Sequence, residues 1–199
     1  MSRSCSRAML LALAIGLPVH SPQSTAAVTE NLDITRLMQL LAAAPSGEVA
    51  FTEKKFSILL AEPVVSTGKL AYRPPDTVEK RIETPRMERY RFTGEELIVT
   101  RNGTERKIRL SSQPLVAALA ASLRGILAGD ADLLRNYFHL AVEGDEAGWR
   151  LNLTPLDEEI GRYVQRMTMS GSGGRLEQIE VLETSGDRSL LQIRARAAK

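Results

Sequence analysis

The chain has 199 residues, 43% hydrophobic and 25% charged, with 26 Lys and Arg against 24 Asp and Glu. Without residues 1–27, which read as an export segment, two arginines and no acids are lost, so 24 bases face 24 acids and the basic surface that nucleic-acid binding demands is absent. The one cysteine, Cys5, falls in that same segment, which excludes disulfides and thiol chemistry from the remainder.

Arg3 and Arg7 precede an apolar run from Ala8 to Val19, and the small residues Ser24, Thr25, Ala26 and Ala27 then offer a cleavage site. This is the pattern of a secretory signal over residues 1–27. Interrupted by Gly16 and Pro18, the run falls short of the roughly 20 apolar residues of a spanning helix. Cys5 lies ahead of the run, where a lipidated cysteine would follow it, so the chain is not read as acylated. Residues 28–199, about 170 residues, are expected to form one domain around one core.

From Asp33 to Ala44, Ile34, Leu37, Met38 and Leu41 recur at helical spacing, with Asp33 as cap, and predict a helix that ends at Pro45-Ser46-Gly47. Strands follow at Val49 to Leu59, Val64 to Tyr72, Thr77 to Glu83, Glu88 to Phe92, Leu97 to Arg101 and Glu105 to Leu110. Pro114 to Arg124 is a helix with almost no polar face, because Leu115, Val116, Leu119 and Leu123 are interleaved with alanines, and such helices are buried on more than one side. A shorter helix, Asp130 to Tyr137, brings Leu133 and Leu134. Five more strands are predicted at His139 to Glu143, Trp149 to Thr154, Tyr163 to Ser170, Leu176 to Glu183 and Ser189 to Ala195. Thr93-Gly94, Asn102-Gly103, Gly144-Asp145, Gly173-Gly174 and Gly186-Asp187 supply the turns.

About eleven strands in successive hairpins favour one large curved sheet or partial barrel. Trp149, Leu151 and Leu153 alternate with Arg150, Asn152 and Thr154, and Tyr163, Met167 and Met169 share a side, so the inward face is apolar. Gly68 suits a bend in this wall, and Arg73-Pro74-Pro75 marks its rim. Two readings of the interior stay open. Apolar faces usually mean a filled core. Methionines and alanines, however, make adaptable surfaces, and Gly125 and Gly129 break the helical plug where a lid would hinge.

The chemistry of the remaining residues is sparse. His139 is the one histidine outside residues 1–27, so metal and nucleophile-base constellations lack their usual members, and neither catalysis, a metal nor a cofactor is expected. Asp157, Glu158 and Glu159 read as solvated acids in a loop. Lys80, Arg81, Arg86, Arg89 and Arg91, interleaved with Glu79, Glu83 and Glu88, read as the solvated face of a hairpin.

Phe51-Thr52-Glu53-Lys54, Gly68-Lys69-Leu70-Ala71-Tyr72-Arg73-Pro74, Asn102-Gly103, the paired apolar helices, Phe138 and the run from Trp149 to Pro155 occur in an order that resembles the LolA-like outer-membrane lipoprotein carriers. The resemblance spans nearly all of residues 28–199. It implies a mainly β, α+β fold: an incomplete antiparallel barrel of about eleven strands with an N-terminal helix and two short lid helices. It further implies a monomeric periplasmic carrier that takes an acylated lipoprotein or lipid from an inner-membrane transporter and yields it to an outer-membrane acceptor. The acyl lumen and lid would then be lined by Leu70, Tyr72, Leu115, Leu119, Leu123, Leu133, Trp149, Leu151, Met167 and Met169. Arg73 matches the arginine that latches the lid through backbone carbonyls in that family. Glu53 in place of the usual glutamine, Tyr72 near a usual tryptophan, and a third strand without its aromatic mark a diverged branch. The other functional class compatible with this pattern is an envelope sensor or docking module that binds a protein or lipoprotein without transporting it.

Overall fold

A computed structural model of the protein describes residues 32–44 and 47–194. The expected signal segment lies outside the described residues. The first helix, α1 (Ile34–Ala42), begins at Asp33, whose carboxylate accepts a hydrogen bond from the Arg36 amide at 2.7 Å, and it buries Leu37, Met38 and Leu41.

Six strands follow, β1 (Gly47–Phe56), β2 (Val64–Arg73), β3 (Thr77–Thr84), β4 (Glu88–Thr93), β5 (Glu96–Arg101) and β6 (Thr104–Arg109). Asn102 and Gly103, with φ of 50° and 77°, form the tight β5–β6 turn that the sequence signals. A 3₁₀ turn, Leu110–Ser112, leads into α2 (Pro114–Ala128) and α3 (Ala131–Arg135). The chain then returns through β7 (Phe138–Asp145), β8 (Gly148–Pro155), a short α4 (Glu158–Gly161), β9 (Val164–Ser172), β10 (Arg175–Glu183) and β11 (Arg188–Arg194).

All eleven strands form one antiparallel sheet in the order β6-β5-β4-β3-β2-β1-β11-β10-β9-β8-β7. The first and last strands therefore pair at its centre, with Phe51 opposite Ile193 and Glu53 opposite Leu191. The two open edges, β6 and β7, are joined through α2 and α3, so the helices span the gap of an incomplete barrel. Gly68 sits at a register shift between β2 and β3, where a Cβ would lie 1.9 Å from the Arg81 carbonyl oxygen. Only glycine lets the wall bend there.

Three local readings change. β1 stops at Phe56 rather than Leu59, and Ile58 and Leu59 stand in the connecting loop, 73% and 86% exposed. Glu158 and Glu159 belong to α4 rather than to a loop, and Asp157 is its N-cap: the Asp157 carboxylate accepts from the Glu159 amide at 2.6 Å, and acids in a first turn complement the helix dipole. α2 does not break at Gly125 but runs on to Ala128. At Gly125 a Cβ would approach the Leu134 side chain within 2.5 Å, so the glycine serves the close packing of α3 on α2. Gly129 ends the helix in the left-handed conformation, φ 68°, that favours glycine.

Candidate functional site

Strand alternation sets which side chains face the helices. Phe51, Leu70, Val78, Phe92 and Leu97 are buried on this concave side of β1 to β5, as are Trp149, Leu151, Leu153, Met167, Met169, Ile179 and Leu191 on β8 to β11. The two halves are filled differently. Beneath the helices, Leu151, Leu153, Met169 and Leu134 are fully inaccessible, and the indole nitrogen of Trp149 donates to the Gly173 carbonyl at 2.8 Å. On the β1–β5 half, Ile82, Tyr90 and Val99 are only half-buried, and so are Leu115, Leu119 and Leu123 of α2 and Leu133 of α3.

Where α1, the end of α2 and the central strands meet, they leave a cavity of about 540 Å³. Its apolar lining comes from Leu41, Leu70, Tyr72, Ile126, Leu127 and Ile193, and Glu48, Arg175, Glu177 and Arg194 supply polar groups. That volume falls within the roughly 300–1,000 Å³ typical of ligand pockets. Of the sequence-derived lumen residues, Leu70 and Tyr72 line this cavity. Trp149, Leu151, Met167 and Met169 pack instead into the core under the helices.

The concave wall also carries a buried ion pair. Lys80 Nζ donates to Glu53 Oε2 at 2.8 Å and lies 5.3 Å from the centre of the Phe51 ring. Ser66 donates to the same oxygen at 3.3 Å and Ser189 to Glu53 Oε1 at 2.8 Å. Burial pushes the Glu53 carboxyl upward, but the Lys80 charge and the hydrogen bonds from Lys80 and Ser189 outweigh it and hold Glu53 below the usual carboxylate range. Burial draws Lys80 below the ordinary lysine range, and the Glu53 charge offsets only part of that.

The reading of Lys80 as part of a solvated basic face is thus corrected. Alternation places it with Val78 and Ile82 on the inside, whereas Arg81, Arg89 and Arg91 point outward and pair with Glu48 and Glu79. Strict counting from Val78 carries that signal, which a charge-run reading overlooks. Arg73 also lies on the outer side, 61% exposed, with Glu79 as its ion-pair partner at 3.9 Å. The contact from an arginine across the lid belongs to Arg124, whose guanidinium donates from α2 to the Gly94 carbonyl in the β4–β5 turn. A lone cation on an otherwise apolar helix is the sequence signal for it.

Among the described residues no group of three or more His, Cys, Asp or Glu is placed to hold a metal ion, and no helix is long and apolar enough to cross a membrane. The family model described as outer membrane lipoprotein carrier protein LolA-like matches residues 26–199. The chain belongs to the LolA-like family. No curated protein matches it in sequence.

Among solved structures, a LolA superfamily protein from Nitrosomonas europaea is 16% identical over 83% of this chain and 93% of its own, with a TM-score of 0.45. The lipoprotein LppX of Mycobacterium tuberculosis is 10% identical over 81% of this chain and 93% of its own, at a TM-score of 0.40. The MucA/MucB complex of Pseudomonas aeruginosa contains a chain 14% identical over 84% of this chain and 59% of its own, at 0.40. These likenesses are distant, and the assignment to the LolA-like family rests on the family match. The open sheet of eleven strands closed over by helices is the architecture expected of a LolA-like carrier.

Proposed function

We propose that this LolA-like protein is an exported periplasmic carrier that shields the acyl chains of a lipoprotein or lipid on their way from an inner-membrane transporter to an outer-membrane acceptor. The observation that carries the reading is the cavity of about 540 Å³ with its apolar lining from both the sheet and the helices. At about 0.8 kcal/mol per methylene, exposing a long acyl chain to water costs roughly 10 kcal/mol, so transit needs a cover. Residues 1–27 direct export, and the remainder acts as a monomer without metal, cofactor or catalysis.

In this reading Leu70 and Tyr72 hold the chain in the resting cavity. Leu115, Leu119, Leu123 and Leu133 are the lid surface that moves over it. Trp149, Leu151, Met167 and Met169 join the lumen wall once the helices lift. Arg124 takes the latching role that the resemblance gave to Arg73. Its Nε is buried without a hydrogen-bond partner, so the latch is of limited strength and release stays feasible. Native mass spectrometry of protein purified from periplasm is expected to reveal bound lipid, or uptake of an acyl ligand. Reproducible failure of both overturns the carrier reading.

The exposed Ile58, Leu59, Leu60 and Met87 favour a second reading, an envelope sensor or docking module that grips one partner through this rim. Site-specific crosslinking from Leu59 separates the two. A carrier yields two membrane partners in succession, a docking module one.

A further inference from the structure

We propose that Lys80, held by Glu53, is a polar station for an uncharged carbonyl, the ester or amide oxygen at the head of an acyl chain. The proposal rests on the carrier reading and specifies the ligand chemistry that reading leaves open. A buried ion pair is a poor stabilising device, because an apolar pair of similar volume usually serves a core as well or better. Here the pair stands among Phe51, Leu70, Ile82 and Leu191, in a wall with no structural need of charge.

Hydrogen-bonding capacity shows what the pair can still do. Both Glu53 oxygens are occupied, one by Ser189 and the other by Lys80 and Ser66, and the residue is 5% exposed. Glu53 therefore faces inward to the protein and anchors its partners. The Lys80 ammonium has three donors, and among the described residues its hydrogen-bond partner is Glu53. Its side chain keeps 19% exposure, so its remaining donors are within reach of a guest on the concave face. Tyr90, opposite Lys80 on β4, and Ile82, the next inward-facing residue of β3, are half-buried and offer apolar surface beside it for the attached chain.

The sign of the site selects the guest. Glu53 already neutralises Lys80, so a carboxylate or phosphate brought to Lys80 would meet the Glu53 charge at close range in a poorly hydrated wall. Lys55, the next inward-facing residue of β1, is exposed, and its charge acts on both Glu53 and Lys80 but less than their attraction for each other. A carbonyl oxygen accepts from the ammonium without adding charge. Acyl esters and amides are thereby favoured over free fatty acids.

The test compares three probes at neutral pH: cis-parinaric acid, its methyl ester, and diphenylhexatriene, which has no oxygen. The wild-type protein is expected to bind the ester more tightly than the acid. In Glu53→Leu/Lys80→Met, the ratio of ester to diphenylhexatriene affinity should fall about tenfold, the size of one lost charge-assisted hydrogen bond. If that variant does not fold, Glu53→Gln/Lys80→Met keeps an acceptor for Ser66 and Ser189 and should lower the ratio in the same direction. An unchanged ratio, or tighter binding of the free acid by wild type, overturns the station. Failure of wild type to bind any of the three probes counts instead against the carrier reading beneath it.

Discussion

Glu53 and Lys80 tie the acid and base limbs of stability to one point on the wall. The folded pKa of Glu53 is depressed, so the stability it contributes is complete above the ordinary carboxylate range and is lost as pH falls through the depressed value. Lys80 is also depressed, so its proton is held less tightly in the folded chain; its charge opposes folding, and that opposition starts to lift as pH rises past the folded value and is gone above the ordinary lysine range. Urea unfolding across pH should therefore show an acid limb that flattens in Glu53→Gln. At neutral pH that same variant strands the Lys80 charge and is expected to lose about 3–5 kcal/mol. The apolar pair Glu53→Leu/Lys80→Met should match wild type or exceed it by about 1–4 kcal/mol. Equal losses in both variants would show that shape, not charge, governs the position. At this scale the sequence was only partly legible. Glu53 stood out by type, but Lys80 was hidden in a run of cations, and only its alternation with Val78 and Ile82 separates it from Arg81. Alternation from Leu70 and Tyr72, both read as lumen residues, already turns Arg73 outward, and the β2 ladder runs unbroken from Gly68 to Arg73.

Among the elements, the lid was the most misleading to read. A glycine inside an apolar helix suggests a break, but at Gly125 the Leu134 side chain of α3 packs against the bare backbone of α2, and that contact is invisible in a linear pattern. Gly125→Ala would gain about 1 kcal/mol in helix propensity, yet its Cβ would intrude on fully buried Leu134, an overpacking that costs about 1–3 kcal/mol. The net expectation is a lower melting temperature despite the better helix former. Arg124→Ala should behave differently. It removes the contact to the Gly94 carbonyl, so amide exchange in α2 and α3 should quicken and a bound acyl probe should leave faster, with little change in global unfolding. Unchanged probe release in this variant would remove Arg124 from the lid. The strands, by contrast, were legible nearly to their ends, since clean alternation and glycine-bearing turns recur along the chain. β1 failed at its end because Ile58, Leu59 and Leu60 are strand-like in type but have no partner on the sheet.

For the whole molecule, the topology places the greatest sequence separation at the centre of the sheet. Hairpins can be read pair by pair, but no pattern in the sequence says that β1 and β11 are neighbours, and the expected run of successive hairpins did not contain that pairing. Two fans of strands, β1 to β6 and β7 to β11, each fold through local turns, and the β1–β11 ladder joins them. Deleting residues 188–194 should therefore leave Phe51 and Glu53 without their cross-strand neighbours and abolish the near-ultraviolet dichroism of Trp149, which lies on β8, three strands from the deletion. A truncated protein that keeps this signal and its resistance to protease would show the fans to be independent. β11 follows the other ten strands of the described sheet in the chain, so during synthesis this keystone ladder cannot form until every one of them is already made. Until then β1 and β10 each keep an unpaired inner edge, and the wall closes in one late step.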